Sequence, residues 1–164
     1  MAAEALAQQG ISVDVFDAMP SVGRKFLLAG KGGLNLTHSE DSQAFLGRYG
    51  ERAGALCAYL QAFDAQAVRR WSEELGVPTF VGTSGRVFPR DMKAAPLLRA
   101  WLARLARLGV VIAPRHSFLG FADEKSLRVK RPDGAEALIG VDAAILALGG
   151  ASWPRLGSDG GWVQ

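Results

Sequence analysis

The sequence has almost no cysteine, no long apolar run and little net charge, and each shortage excludes something. Cys57 is the only cysteine in 164 residues. An internal disulfide is therefore impossible, and a reducing compartment, the cytoplasm, is the expected setting. Histidine occurs twice, and no grouping of His and Cys has metal-ligand spacing. No apolar stretch is long enough to span a bilayer. The start, Met1-Ala2-Ala3-Glu4-Ala5-Leu6-Ala7-Gln8-Gln9-Gly10, lacks the charged and apolar regions of a signal peptide. The net charge of +3 is too small to mark a nucleic-acid binder by itself. Internal repeats and low-complexity segments are also missing.

What is there is an ordinary globular composition, 49% hydrophobic and 21% charged, with enough chain for one domain and a real core. Residues 2–9 predict an alanine-rich helix closed by Gly10. Residues 11–16 predict a strand of the buried parallel kind, ending in the acid Asp17. In a βαβ unit a helix joins two parallel strands, so a helix that opens the chain implies an absent first strand. On this reading the chain lacks its natural N-terminus. Residues 42–62 and 64–75 predict two helices, and Gly76-Val77-Pro78 stops the second. Short strands are expected at 79–81 and 86–88 around Gly82-Thr83-Ser84-Gly85. Residues 93–108 carry the clearest helical pattern, with Leu97, Leu98, Trp101, Leu102, Leu105 and Leu108 on one stripe. A strand at 110–112 follows. A hairpin is expected at 127–130 and 137–139 around Pro132-Asp133-Gly134. A second buried strand, 141–148, runs into Gly149-Gly150. The ending, from Gly157, reads as a loop leading into a helix.

The densest chemistry lies in Gly23-Arg24-Lys25-Phe26-Leu27-Leu28-Ala29-Gly30-Lys31-Gly32-Gly33-Leu34-Asn35-Leu36-Thr37-His38-Ser39-Glu40, with four glycines and three cations. The run reads as a glycine-rich cationic loop after a strand, and glycine lets backbone approach a ligand closely. Backbone N–H groups beside cations suit phosphate oxygens. A solvated loop has the same glycines, but the interleaved Phe26, Leu27, Leu28, Leu34 and Leu36 favour burial. Arg24 and Lys25 suit a pyrophosphate, and Asn35 or Thr37 a ring or ribitol. His38 reads as a packing or capping residue before an acid or base. Thr37 and Ser39 are equally suited to capping a helix. Asp17 stands where dinucleotide folds carry the acid that binds ribose hydroxyls, although a surface aspartate after a strand explains it as well. Gly149-Gly150 after a strand places N–H groups at a sheet edge, as would any tight turn. Thr83 to Arg90 is a basic hairpin, and Cys57 a packing residue.

In this order the runs Ala3…Gly10…Asp17, GRKFLLAGKGGLNLTHSE, SGRVFPRDMKA and ALGGASWPRLGSDGGWV resemble the BaiN/aminoacetone-oxidase-like family of FAD-dependent oxidoreductases. These are bacterial flavoproteins with two dinucleotide-binding domains. The chain is similar to the subgroup with GKGGLNLTHSE, where the wider family often has Gly-Gly-Gly-Arg-Cys-Asn. The resemblance implies an α/β, Rossmann-like FAD-binding domain that is incomplete. A first strand with its GxGxxG-type loop would precede it, and an inserted, mostly β domain and the C-terminal completion would follow. A helical insertion at about 42–108 and a β-hairpin at about 125–140 belong to that picture.

The resemblance also assigns roles. Asp17 would bind the ribose hydroxyls. Gly23, Arg24, Lys25, Gly30, Lys31, Gly32, Gly33, Leu34, Asn35 and Thr37 would lie along pyrophosphate, ribitol and flavin. Gly149, Gly150, Ser152, Gly157, Asp159 and Gly160 would close the site. FAD is the expected cofactor, with NAD(P)H a candidate donor and a small molecule the substrate. No catalytic residue is assigned, and residues 1–164 alone would bind FAD weakly or not at all. Two other readings stay open: a nucleotide-binding module without turnover, and a basic nucleic-acid-binding domain using Arg86, Arg90, Arg99, Arg104 and Arg107.

Overall fold

A computed structural model of the chain describes residues 1–151, 153–156 and 160–163. In chain order the elements are α1 (Ala2–Gln8), β1 (Asp14–Asp17), α2 (Arg24–Ala29), β2 (Thr37–His38), α3 (Ser42–Gly47), α4 (Ala53–Ala62), α5 (Ala65–Glu74), β3 (Thr79–Val81), β4 (Arg86–Pro89), α6 (Ala94–Arg107), β5 (Val111–Pro114), β6 (Ser117–Asp123), β7 (Ser126–Lys130) and β8 (Glu136–Gly140). They fall into two compact units, Met1–Lys25 with Leu105–Gln164, and Phe26–Arg104.

In the first unit β1 and β5 pair in parallel, Asp14 opposite Val111 through Asp17 opposite Pro114. A parallel pair needs a crossover connection, and here the crossover carries the whole second unit. The α1 helix ends at Gly10 in left-handed backbone, φ 77, with the Ile11 N–H on the Leu6 carbonyl at 3.2 Å. The strand then begins at Asp14 rather than Ile11. The remaining strands make an antiparallel sheet in the order β6-β7-β8. Its central strand β7 buries Leu127 and Val129 in alternation, the period-two pattern of a strand with one covered face. Pro132-Asp133-Gly134 turns β7 into β8 as expected, with Gly134 at φ 87 and the Arg131 N–H on the Ala135 carbonyl.

The second unit holds an antiparallel sheet, β2-β4-β3, and a core of Leu34, Val77, Ala94 and Leu97, with Phe26, Leu36, Trp71, Leu75 and Ala100 packed on it. Trp71 and Trp101 meet edge to face, centroids 5.2 Å apart, a favoured aromatic geometry. Asp64 caps α5 by accepting the Ala67 N–H at 2.7 Å, and Asp41 caps α3 by accepting from Gln43 and Ala44. Ser72, fully buried, donates its hydroxyl to the Val77 carbonyl at 2.7 Å. That bond satisfies the chain where α5 gives way to β3.

Four sequence expectations change. Arg24–Ala29 is helix, not loop, because Arg-Lys-Phe-Leu-Leu-Ala are good helix formers. The helix expected over 42–62 breaks into α3 and α4, with a 3₁₀ turn at Gly50–Arg52 between them and Gly50 at φ 52. The β6 strand was not expected: its run lacks clean alternation, and Gly120, φ 133, sits at a shift in register. Residues 141–148 form no strand. Ile145 and Leu146 are exposed, and no described strand pairs with the run; a buried strand requires such partners for its backbone groups.

Leu97 is 0% exposed. Leu97→Ala is expected to destabilise the chain by about 2–5 kcal/mol, read as a lowered urea midpoint. The same change at exposed Leu138 should shift stability by no more than about 0.5 kcal/mol.

Candidate functional site

Asp17 is the last residue of β1, so its side chain stands at the carboxyl end of a parallel strand, where ligands of open α/β sheets bind. The backbone around it is tightly tied. Its carbonyl accepts the His116 N–H at 3.0 Å, and its Oδ1 accepts the Met19 N–H at 2.8 Å. The side chain is half-buried. Gly23, φ 73, then turns the chain into α2. Arg24 there is half-buried and Lys25 exposed.

Gly149, φ 76, and Gly150 belong to the same unit and are exposed. The Trp162 indole N–H donates to the Gly149 carbonyl at 2.8 Å. Gly160, φ 73, packs on Ala151, whose Cβ lies 3.1 Å from where a Cβ on Gly160 would be. Trp162 and Gly160 thus latch onto the double glycine and its neighbour Ala151, contacts that no motif in the sequence signals. Ser152, Gly157 and Asp159 lie outside the described residues.

Within the second unit, Gly30–Gly32 form a 3₁₀ turn and the chain then joins the sheet edge. The Leu36 N–H reaches the Val87 carbonyl at 2.8 Å, and the Ser39 N–H the Gly85 carbonyl at 2.8 Å. The glycines serve different ends. Gly30 is pressed against Ala94 at the start of α6, with no room for a Cβ. Gly33, φ 116, lies under the Met92 methyl, and Gly32 has nothing within 4 Å of its Cβ position. Lys31 and Asn35 are exposed and Thr37 is half-buried. Leu34 spends its side chain on the core and has its N–H on the Met92 carbonyl.

His38 has a structural role. Its Nδ1 accepts the Glu40 N–H at 3.2 Å, so the neutral ring carries its proton on Nε2 and donates to the Ser84 carbonyl at 3.0 Å. The ring fills the space beside Gly85, where a Cβ would lie 2.6 Å from Cε1. Glu40 is gripped in turn by Arg48, at 2.6 Å from Nε to Oε1 and 2.9 Å from Nη2 to Oε2. The site residues assigned from sequence are therefore divided: Asp17, Gly23, Arg24, Lys25, Gly149, Gly150 and Gly160 lie in one unit, and Gly30–Thr37 in the other.

Residues 1–164 match the model of the HI0933-like protein Rossmann domain. The chain belongs to this family. It is the BaiN-like family of FAD-dependent oxidoreductases to which the sequence motifs pointed. No curated protein matches the sequence. Among solved structures, THI4 of Thermovibrio ammonificans superposes with a TM-score of 0.60 at 14% identity, over 90% of this chain and 52% of that one. BexE, from BE-7585A biosynthesis, gives 0.53 at 17%, over 94% and 30%. CabE, an aromatic hydroxylase from angucycline biosynthesis, gives 0.50 at 15%, over 94% and 29%. At such identities the likeness establishes the Rossmann-like α/β fold alone. The chain spans about half or less of the length of these proteins. Within the HI0933-like family, then, this chain has Asp17 at its parallel strand end and one glycine of its glycine turn, Gly32, open on its Cβ side.

Gly85→Ala should cost about 1–2 kcal/mol for its left-handed backbone, plus the clash with His38. In a double-mutant cycle with His38→Ala, the second change should remove the clash part and give a coupling of about 0.5 kcal/mol or more. Chemical denaturation of the four proteins measures it.

Proposed function

We propose that this chain supplies FAD-contacting residues to an oxidoreductase that moves a hydride or electrons through bound flavin, with a small molecule as substrate and NAD(P)H as a candidate donor. The observation that carries the reading is Asp17: an acid at the carboxyl end of a parallel strand, its carboxylate fixed by the Met19 N–H at 2.8 Å, in a family of FAD-dependent oxidoreductases. A fixed carboxylate is an acceptor suited to two vicinal hydroxyls.

The other donors fit the same group. In the first unit, Arg24 and Lys25 offer charge to a pyrophosphate. Gly32 leaves open backbone for a flat ring. Asn35 and Thr37 offer hydrogen bonds to a ribitol or ring edge. When bound, the flavin would supply reversible hydride acceptance. This chain's residues would bind and orient it, and need furnish no nucleophile.

Two measurements on the intact protein test the reading. Flavin absorbance should accompany it on purification or after reconstitution with FAD; a colourless protein under both conditions contradicts the proposal. Bound flavin should be bleached by an organic or nicotinamide donor without air, whereas a flavin that binds and is never reduced favours a binding module. Asp17→Ala should weaken FAD binding by about tenfold or more, the 1.5–3 kcal/mol scale of a hydrogen bond to a charged group, measured by flavin fluorescence titration.

A further inference from the structure

Met92 is the one described non-glycine residue of the Phe26–Arg104 unit with left-handed backbone, φ 62. Such backbone costs an ordinary residue about 1–2 kcal/mol. Two main-chain bonds hold it there. The Met92 N–H donates to the Pro89 carbonyl at 2.9 Å, and the Met92 carbonyl accepts the Leu34 N–H at 3.0 Å. The second bond ties Met92 to the glycine turn itself, since Leu34 follows Gly33. The result is a side chain rooted beside the turn, with its end laid across it. The Met92 methyl lies 2.6 Å from the Cβ position of Gly33, and the Phe88 ring stands 3.7 Å from the same point. Gly33 could not carry a side chain here without moving Met92.

Gly32 and Gly33 therefore differ. Gly32 is open, and Gly33 is covered by the far end of an unbranched, flexible side chain that is 37% exposed. Methionine is suited to such a cover. It has three rotatable bonds, and its polarizable sulfur makes favourable contacts with aromatic rings. Swinging the methyl off Gly33 breaks no hydrogen bond, because both bonds at Met92 belong to its backbone.

We propose that Met92 is a ligand-contacting, specificity-determining residue: a flat heteroaromatic ring docking on the Gly32–Gly33 backbone displaces the Met92 methyl and then packs against its sulfur. This rests on the flavin reading above and names a residue outside the set first assigned to the cofactor. The side chain admits a planar ring and disfavours bulky, non-planar groups, which cannot share the space beside Phe88.

The test uses the intact protein with its methionines labelled at the methyl carbon, Met92 being assigned by comparison with Met92→Leu. FAD binding is followed in the same sample by flavin absorbance. The expected result is that FAD shifts the Met92 methyl resonance, and that peroxide oxidation of Met92, read by peptide mass spectrometry, slows severalfold. If FAD binds and neither the resonance nor the oxidation rate of Met92 changes, the Met92 proposal is wrong and the flavin reading stands. If FAD does not bind, both are wrong.

Discussion

The parallel pairing of β1 with β5 is the constraint on which the first unit depends. Four register pairs, Asp14 with Val111 to Asp17 with Pro114, join strands separated by the entire second unit in sequence. The entropic cost of closing so long a loop grows only slowly with its length, so a large insertion between the two strands is tolerated. The pairing also fixes where β1 ends. The Asp17 carbonyl holds the His116 N–H and its carboxylate holds the Met19 N–H, so the acid is set in place by the same bonds that finish the strand.

A complementary constraint governs the second unit, where glycine is required by neighbours as much as by backbone angle. Ala94 excludes a side chain at Gly30, His38 excludes one at Gly85, and Met92 lies over Gly33. The three neighbours belong to the start of α6, to β2, and to the link between β4 and α6. Each close approach pins the glycine-bearing strand or turn to another element. Only Gly32 of the glycine turn has its Cβ side open. A segment that looks flexible by composition is therefore well held, and an ordered turn costs less to bind than a loop that must first be fixed.

Much of the fold was legible because its signals are local. The α6 stripe ends at Gly109, φ 80, and the Val110 N–H closes the helix on the Leu105 carbonyl. Pro132-Asp133-Gly134 marks its hairpin as plainly. What failed depended on partners. Residues 141–148 have the composition of a buried strand, but composition does not supply the neighbouring strand. The β6 strand exists because β7 pairs with it, despite Gly120 in its middle. The break between α3 and α4 was signalled by Gly47 and Gly50 and overridden by the apolar residues on either side. In the site, Asp17 and the glycine turn were readable as types in an order. The purpose of each glycine was not, because it is set by Ala94, Met92 and His38, which are distant in sequence or carry no signature of their own. The Trp162 latch on Gly149 is of the same kind.

If Asp17 and, in the other unit, the Gly30–Thr37 segment each contact FAD as proposed, amide hydrogen exchange on the intact protein, with and without the cofactor, should register it. Slower exchange is expected on FAD addition in two stretches, Asp17 to Lys25 and Gly30 to Thr37, with β7 and β8 unchanged. FAD binding that leaves both stretches exchanging at their original rates would contradict the proposal.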